Sequence, residues 1–445
     1  MAGGVWLSQN KVRPGAYLNF NSVPKSAMTV GDRGIVAIGL TLDWGKENEL
    51  IEVLSSDLLD GTSRKLVGFT AFDEESKLLS GALSYAYKAL VYRMNTGGDK
   101  ASVEVGGVKA TARYSGEFGN KILIAIVKDS ATSLFDVVTY IAGEVVDTQR
   151  ISAVGELEPN DYVEFAAGSG DLEAAAGSAL TGGTNGNAVE TTAYPAMFKL
   201  LQMARWQVLA CLSTETTVKA NVNSFIKQMR EDEGRYVQAV VSAYDAADYE
   251  GVINSVCGAV INEVEFSVQD FVSVVAGLTA GANFNQSNTA RKISGASKIV
   301  GEKTDEEIKK GLAKGEFILS TATNGDIKVE QDINSLHTFT KEKDYIFSKN
   351  RVLRTLDEIG TTTVMTWENS YMGKVDNDDT GRGLFKSDLV SYGRELQRLR
   401  GIQEFNGVDD ITVQQGSNLD SVVCSWYVKP VDSMEKLYMT VNVNS

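Results

Sequence analysis

WQVLACLSTETTVKANVNSFIKQMREDEGRYVQAVVSA, residues 206–243, changes its hydrophobic period twice. Trp206 to Leu212 is a continuous apolar run of strand length. Val218, Val222, Phe225, Ile226 and Met229 then recur at helical spacing, and Tyr236 to Ala243 is a second apolar run. Strand, helix and strand in succession make a βαβ unit, and such a crossover returns the chain parallel to its first strand. A parallel sheet is therefore expected here. Further along, Ser267 and Asp270 form an N-cap signal for a helix through Phe271 to Gly277. Asn324-Gly325 joins Glu316–Ser320 to Asp326–Glu330 as a hairpin.

Moving toward the N-terminus, residues 166–188 (AAGSGDLEAAAGSALTGGTNGNA) hold few large apolar groups and read as a linker or Gly-lined loop. Between Lys100 and Phe165, short β-like runs at Val103–Val105, Ile122–Val127, Phe135–Ile141 and Tyr162–Phe165 alternate with Gly-Gly, Gly-Asn and Pro-Asn turn signals, which predicts an all-β domain. Gly34 to Gly98 reads as a small α/β domain: a strand at Ile35–Leu40, a turn near Trp44-Gly45, a helix at Leu78–Lys88 and a strand at Leu90–Met94. Pro14 and Pro24, two of the five prolines, flank the extended run Gly15–Phe20. That segment has too little to bury alone and reads as an arm with its partner elsewhere.

The last hundred residues carry amphipathic helices near Arg351–Trp367 and Asp388–Arg400. Strand-like alternation follows, with Val422, Cys424, Trp426 and Val428 on one face, then Leu437, Met439, Val441 and Val443. A strand at the end of a chain normally frays, so something must hold it. The expected organisation is α+β and multidomain: an N-terminal arm (1–30), a small α/β domain (31–98), a β-rich domain (99–180), an α/β domain (181–340), a C-terminal α+β domain (341–435) and a C-terminal arm (436–445).

Composition narrows the function. With 445 residues, 43% hydrophobic and 23% charged, the chain has material for three or four folded domains. No apolar run reaches the roughly 18 residues that span a bilayer, and MAGGVWLSQNKVRPG lacks the apolar core of a signal peptide, so assembly in the cytoplasm is expected and membrane insertion is not. Cys211, Cys257 and Cys424 are far apart among apolar neighbours and read as buried free thiols. A net charge of −15 without any Lys/Arg cluster argues against nucleic-acid binding. An acidic surface suits a subunit that must stay dissolved before it assembles.

Catalytic groups are scarce. His337 is the only histidine, it lies in a polar loop, and no GxSxG elbow accompanies it. The cysteines lack metal-ligand spacing. GASKIVGEKT (Gly295–Thr304) approaches the phosphate-loop pattern but has five residues between its glycines and Glu302 where the lysine should follow. The carboxylate pairs at Glu74-Glu75, Glu306-Glu307 and Asp378-Asp379 read as solvated surface. No catalytic residue, cofactor or metal site is assigned. The termini stand out instead, because extended arms present backbone edges that can pair with another chain.

Seven stretches in order resemble the tail sheath proteins of contractile phage tails and of phage tail-like bacteriocins from Gram-positive bacteria: MAGGVWLSQNKVRPGAYLNF at the N-terminus, ATARYSGEFGNKILIAI (110–126), LTGGTNG (180–186), AGLTAGANFNQSNT (276–289), NRVLRTLDEI (350–359), GKVDNDDTGR (373–382) and VKPVDSMEKLYMTVNV (428–443). The resemblance implies a subtilisin-like middle domain without its catalysis. It also implies a helical homopolymer around a tail tube protein, capped by baseplate and terminator or collar proteins and released by lysis. Subunits would be joined by strand exchange, with an N-terminal arm at Val12, Tyr17, Leu18 and Phe20 and a C-terminal arm at Leu437, Met439, Val441 and Val443. The receiving strand would hold Val422, Cys424, Trp426 and Val428. Two other readings stay open: a hydrolase built on His337, and a static surface-layer or capsid-like protein.

Overall fold

The computed structural model describes residues 2–4, 15–17, 28, 31 and 33–443. The chain divides into two compact units, one of residues 31–361 with 430–445 and one of residues 1–30 with 362–429.

The larger unit is built on a seven-stranded sheet in the order Glu316–Phe317, Val252–Ser255, Gln238–Ser242, Val208–Ala210, Ile35–Leu40, Lys88–Arg93, Leu50–Leu54. All neighbours are parallel except Leu50–Leu54, which runs antiparallel on the edge. The βαβ unit is present as read, with the helix Thr216–Lys227 between parallel strands Val208–Ala210 and Gln238–Ser242. Ile35–Leu40 is buried at all six positions because it lies inside the sheet with helices on both faces. One correction follows from this topology: the strands at 35–40, 50–54 and 88–93 close no sheet of their own. They continue the sheet formed by strands from residues 208–317, so the two α/β stretches share one core.

Helices Lys77–Leu83 and Phe271–Ala280 cover one face of that sheet, and Glu190–Leu201 and Thr216–Lys227 cover the other. All ten residues of Phe271–Ala280 are buried, and a Cβ on its Gly277 would lie 2.1 Å from the Ala82 carbonyl oxygen. Only glycine permits that helix contact. The helix read at Leu78–Lys88 stops at Leu83 because Lys88 already pairs with Ile35 in the sheet. Glu316–Phe317 likewise joins the large sheet, leaving Leu319–Thr321 and Ile327–Val329 as the hairpin.

Residues 102–179 form two antiparallel sheets, one of Glu144–Ile151, Phe135–Ile141, Ile122–Lys128 and Ala175–Ala179, the other of Val163–Ala167, Val108–Ala112 and Ser102–Val105. Their shared core includes Ile122, Ile124, Ile126, Val137, Val163 and Trp44. The presumed linker 166–188 is therefore partly a strand. Ala175–Ala179 pairs with Ile122–Lys128, and its small side chains suit a site where a Cβ on Gly177 would meet Leu123 at 2.5 Å. The fully buried Arg93 sits where this module meets the large sheet, and its Nη1 donates to the carbonyls of Gly45 and Ser115 at 2.9 Å each. Asn185 of the LTGGTNG loop closes the same junction: its carbonyl accepts from Asn95 Nδ2 and its Oδ1 from the Glu117 amide at 2.8 Å.

In the smaller unit, Asp379–Arg398 is a helix capped by Asp378, whose side chain accepts from the Gly381 amide at 2.7 Å. It starts nine residues before the expected Asp388: the Asp378 cap secures a first turn whose glycines at 381 and 383 carry little helix propensity of their own. Phe385, Leu389, Tyr392, Leu396 and Ile411 are buried within this unit, and Tyr371 donates to Asp388 at 2.6 Å. Ile411–Gln415 and Val422–Trp426 form an antiparallel hairpin, and Ala2–Gly4 pairs in parallel with Gly15–Tyr17.

Candidate assembly surfaces

The groups an enzyme would need are engaged in holding loops. His337 donates its amide to Asp248 Oδ1 at 2.8 Å, and its Nδ1 lies 2.9 Å from the Ser335 carbonyl, so that nitrogen carries the proton. The Ser335 hydroxyl donates to the Tyr249 carbonyl at 3.0 Å and accepts from the Tyr249 amide at 3.2 Å. A serine held this way by backbone on both sides is not a nucleophile. The crevice at the carboxyl ends of the central strands, where open α/β sheets usually bind ligands, has a volume of about 500 Å³ and is lined by Asp43, Glu75, Glu117, Asn185, Glu190 and Tyr194 among others, with neither histidine nor cysteine. In GASKIVGEKT the residues between the glycines are the strand Ala296–Val300. Thr304 and Glu307 then form a capping box on the helix Asp305–Ala313.

Burial pushes the Cys211 thiol up to about 11 and raises that of Cys257, which makes both poor nucleophiles. Cys424 departs from the expected buried state: it is exposed, because no element among the described residues covers that position of the two-stranded hairpin.

Within the hairpin, the register pairs Ile411 with Trp426, Val413 with Cys424 and Gln415 with Val422, so these six share one face. Thr412, Gln414, Val423 and Ser425 share the other. Tyr392 and Phe405 approach Trp426 at 6.2 and 5.9 Å between ring centroids. The sheet has two strands only, so each has an outer edge without a strand neighbour among the described residues. Edges of this kind are open to added strands.

The C-terminal segment has a sharply divided character. From Val431 to Lys436, half-buried and exposed residues alternate, as in an extended chain lying on a surface, with Val431, Ser433 and Glu435 inward. Glu435 is held by donors from three separate stretches, Lys349 Nζ at 2.5 Å, Gln331 Nε2 at 2.6 Å and Thr289 Oγ1 at 2.8 Å, and by the nearby Ser433 Oγ at 3.3 Å. Burial alone would raise its pKa, but the hydrogen bonds from Lys349, Gln331 and Thr289 outweigh that and hold the carboxyl below its ordinary value. Beyond it the side chains are open: Leu437, Tyr438, Met439, Val441 and Val443 are 84%, 89%, 73%, 70% and 87% exposed. The strand expected at 437–443 is not formed in the single chain, since no neighbouring strand lies beside it among the described residues.

The anchoring point of this segment lies just before the helix Asn350–Thr366, whose early turns are fixed by buried charge. Arg354 Nη2 meets Asp332 at 2.6 Å, and Asp357 receives Arg230 bidentately at 2.7 and 3.0 Å. Glu358 accepts from the Gly31 amide at 2.9 Å, which ties down the first residue after the N-terminal 30.

Val422, Cys424 and Trp426 thus lie on one face of a strand, and Val428 follows it, half-buried. Tyr17 lies in the strand Gly15–Tyr17. Val12, Leu18 and Phe20 fall outside the described residues. Glu435 and its donors escaped sequence reading because Thr289, Gln331 and Lys349 are 146, 104 and 86 positions away.

Comparison with known proteins agrees with this architecture. Family models match in chain order: a phage tail sheath protein β-sandwich domain over residues 96–185, a phage tail sheath protein central domain over 187–335 and a phage tail sheath C-terminal domain over 342–444. The phage-like element PBSX protein XkdK of Bacillus subtilis is 33% identical, with 100% of each chain covered. The crystal structure of the sheath tail protein of Desulfitobacterium hafniense superposes with a TM-score of 0.82 at 36% identity, covering 96% of this chain and 99% of that one. The helical sheath of the anti-feeding prophage in its contracted state shares the fold at 10% identity, with a TM-score of 0.58 over 97% and 99% of the two chains. The chain therefore belongs to the phage tail sheath family, as a structural protein of contractile tails and not an enzyme.

Proposed function

We propose that copies of this chain polymerise helically around a tail tube, linked by strand exchange, and contract to drive the tube through a target envelope. The observation that carries the reading is the segment 437–443, which presents alternating apolar residues with no strand partner among the described residues. In this reading its Leu437, Met439, Val441 and Val443 are buried against another copy's hairpin, beside Val422, Cys424, Trp426 and Val428. The N-terminal arm around Val12, Tyr17, Leu18 and Phe20 adds to a third copy. Burying four such side chains gains roughly 6 kcal/mol before the cost of ordering the arm. Head-to-tail contacts of this type do not close on themselves, so they build an open helix.

The seven-stranded sheet, in this reading, is a subtilisin-like core kept for rigidity. The extended polymer is a kinetically trapped state, and contraction releases energy by enlarging contacts between rigid bodies while the exchanged strands stay paired. The tube, baseplate and terminator or collar proteins are the other partners. Assembly takes place in the bacterial cytoplasm, and the particle leaves by lysis.

Negative-stain electron microscopy of the purified chain at high concentration, alone and with the tube protein, tests this. Hollow ridged tubes are expected, and deleting Leu437–Ser445 should abolish them while leaving the thermal unfolding midpoint of the monomer in place. Tubes that persist after the deletion would rule out exchange through this arm.

A further inference from the structure

We infer that Glu435 sets the register of the exchanged C-terminal strand; the inference rests on strand exchange through residues 437–443. Two features of the C-terminal segment carry it. The first is that, among the described residues, Glu435 is the last whose side chain is hydrogen-bonded within its own subunit: it is 11% exposed and bound by Lys349, Gln331 and Thr289, while residues 436–443 are exposed. The second is parity. Val431, Ser433 and Glu435 face inward along an extended segment, and Leu437, Met439, Val441 and Val443 continue the same odd-numbered series.

In an extended chain successive side chains point to opposite faces, so a one-residue shift moves a whole apolar set to the wrong side. A two-residue slip keeps the face but displaces the strand by about 6.6 Å. An arm with a loose root could sample several such pairings. A root pinned only two residues before Leu437 permits one reach and one facing. The carboxylate is suited to the task because its donors Thr289, Gln331 and Lys349 come from a loop, the segment following a hairpin and the residue before a helix, so a single side chain is fixed from several directions. Lys349 itself is largely buried, its side chain 13% exposed.

The test uses the full-length chain with one glycine inserted between Lys436 and Leu437, with two residues inserted there, and with each insertion repeated in a Glu435→Ala background. The fraction of chain in sedimenting tubes is read against total concentration. One inserted residue should raise the concentration needed for assembly about tenfold in the native background, and two should restore most of it. In the Glu435→Ala background the first insertion should cost less than about twofold, because a released root can slide to compensate. Equal penalties in both backgrounds, or no penalty in the native one, would overturn the inference. Should Glu435→Ala not yield folded monomer, Thr289→Ala with Gln331→Ala loosens the same anchor from the other side. Deleting Leu437–Ser445 separates the two ideas: tubes that survive the deletion defeat strand exchange itself, whereas tubes lost on deletion with additive insertion penalties defeat only the anchor.

Discussion

Glu435 keeps its charge in a half-buried place, and that gives the C-terminal segment a defined pH response. Its folded pKa lies below the ordinary glutamate value of roughly 4.3. A depressed carboxylate contributes stability that is fully present above its unfolded pKa and is lost as pH falls through the folded one. Residues 431–435 should therefore stay protected from amide exchange at pH 5 and above and lose protection only below about pH 4. Glu435→Gln should weaken protection at neutral pH and flatten its pH dependence, since the amide can still accept from Gln331 or Thr289 but does not pair with the Lys349 charge. Protection in the native chain that fades already between pH 7 and 5 would point to another group.

Among the elements, the helix Asn350–Thr366 bears the densest set of buried charges. Arg230 and Asp357 are 7% and 3% exposed, and removing one partner of such a pair leaves the other charge buried without compensation. Asp357→Asn should lower unfolding stability by about 3 kcal/mol in urea titration, whereas Lys309→Ala should change little, because the exposed helix pairs Asp305–Lys309 and Glu306–Lys309 are worth only tenths of a kcal/mol. A cost for Asp357→Asn as small as that of Lys309→Ala would mean the Arg230 pair does not secure the helix. The helix itself was legible from its apolar spacing, as were Ile35–Leu40, Phe135–Ile141 and the βαβ unit, because each has a strong local period. Leu50–Leu54, Glu144–Ile151 and Ala175–Ala179 were not. Glu144–Ile151 and Ala175–Ala179 mix exposed and buried positions without clear alternation, and Leu50–Leu54, whose burial does alternate, is apolar at four of its five residues, so none carries a clear period in sequence; all three become strands by pairing with segments already ordered. The surface presented at the C-terminus was readable as alternation, but its anchor was not, since no local pattern announces a carboxylate whose donors are drawn from across the unit.

For the whole molecule, the balance between solubility and assembly is set by charge against strand pairing. Each copy carries a formal charge of −15, so copies repel one another over distances comparable to the Debye length, about 10 Å at 0.1 M salt and shorter as salt rises. The contacts proposed between copies are backbone hydrogen bonds and buried apolar side chains, which salt at these concentrations barely weakens. Screening should therefore remove the opposing term and leave the favourable one intact. Raising sodium chloride from about 0.05 to about 0.3 M should lower the concentration needed for tube formation severalfold, as read by light scattering with electron microscopy of the products. The deletion lacking Leu437–Ser445 should stay unassembled across the same range, since screening alone supplies no contact. If the required concentration rises with salt instead, complementary charged faces and not exchanged strands hold the copies together, and the exposed apolar residues at 437–443 would need another partner.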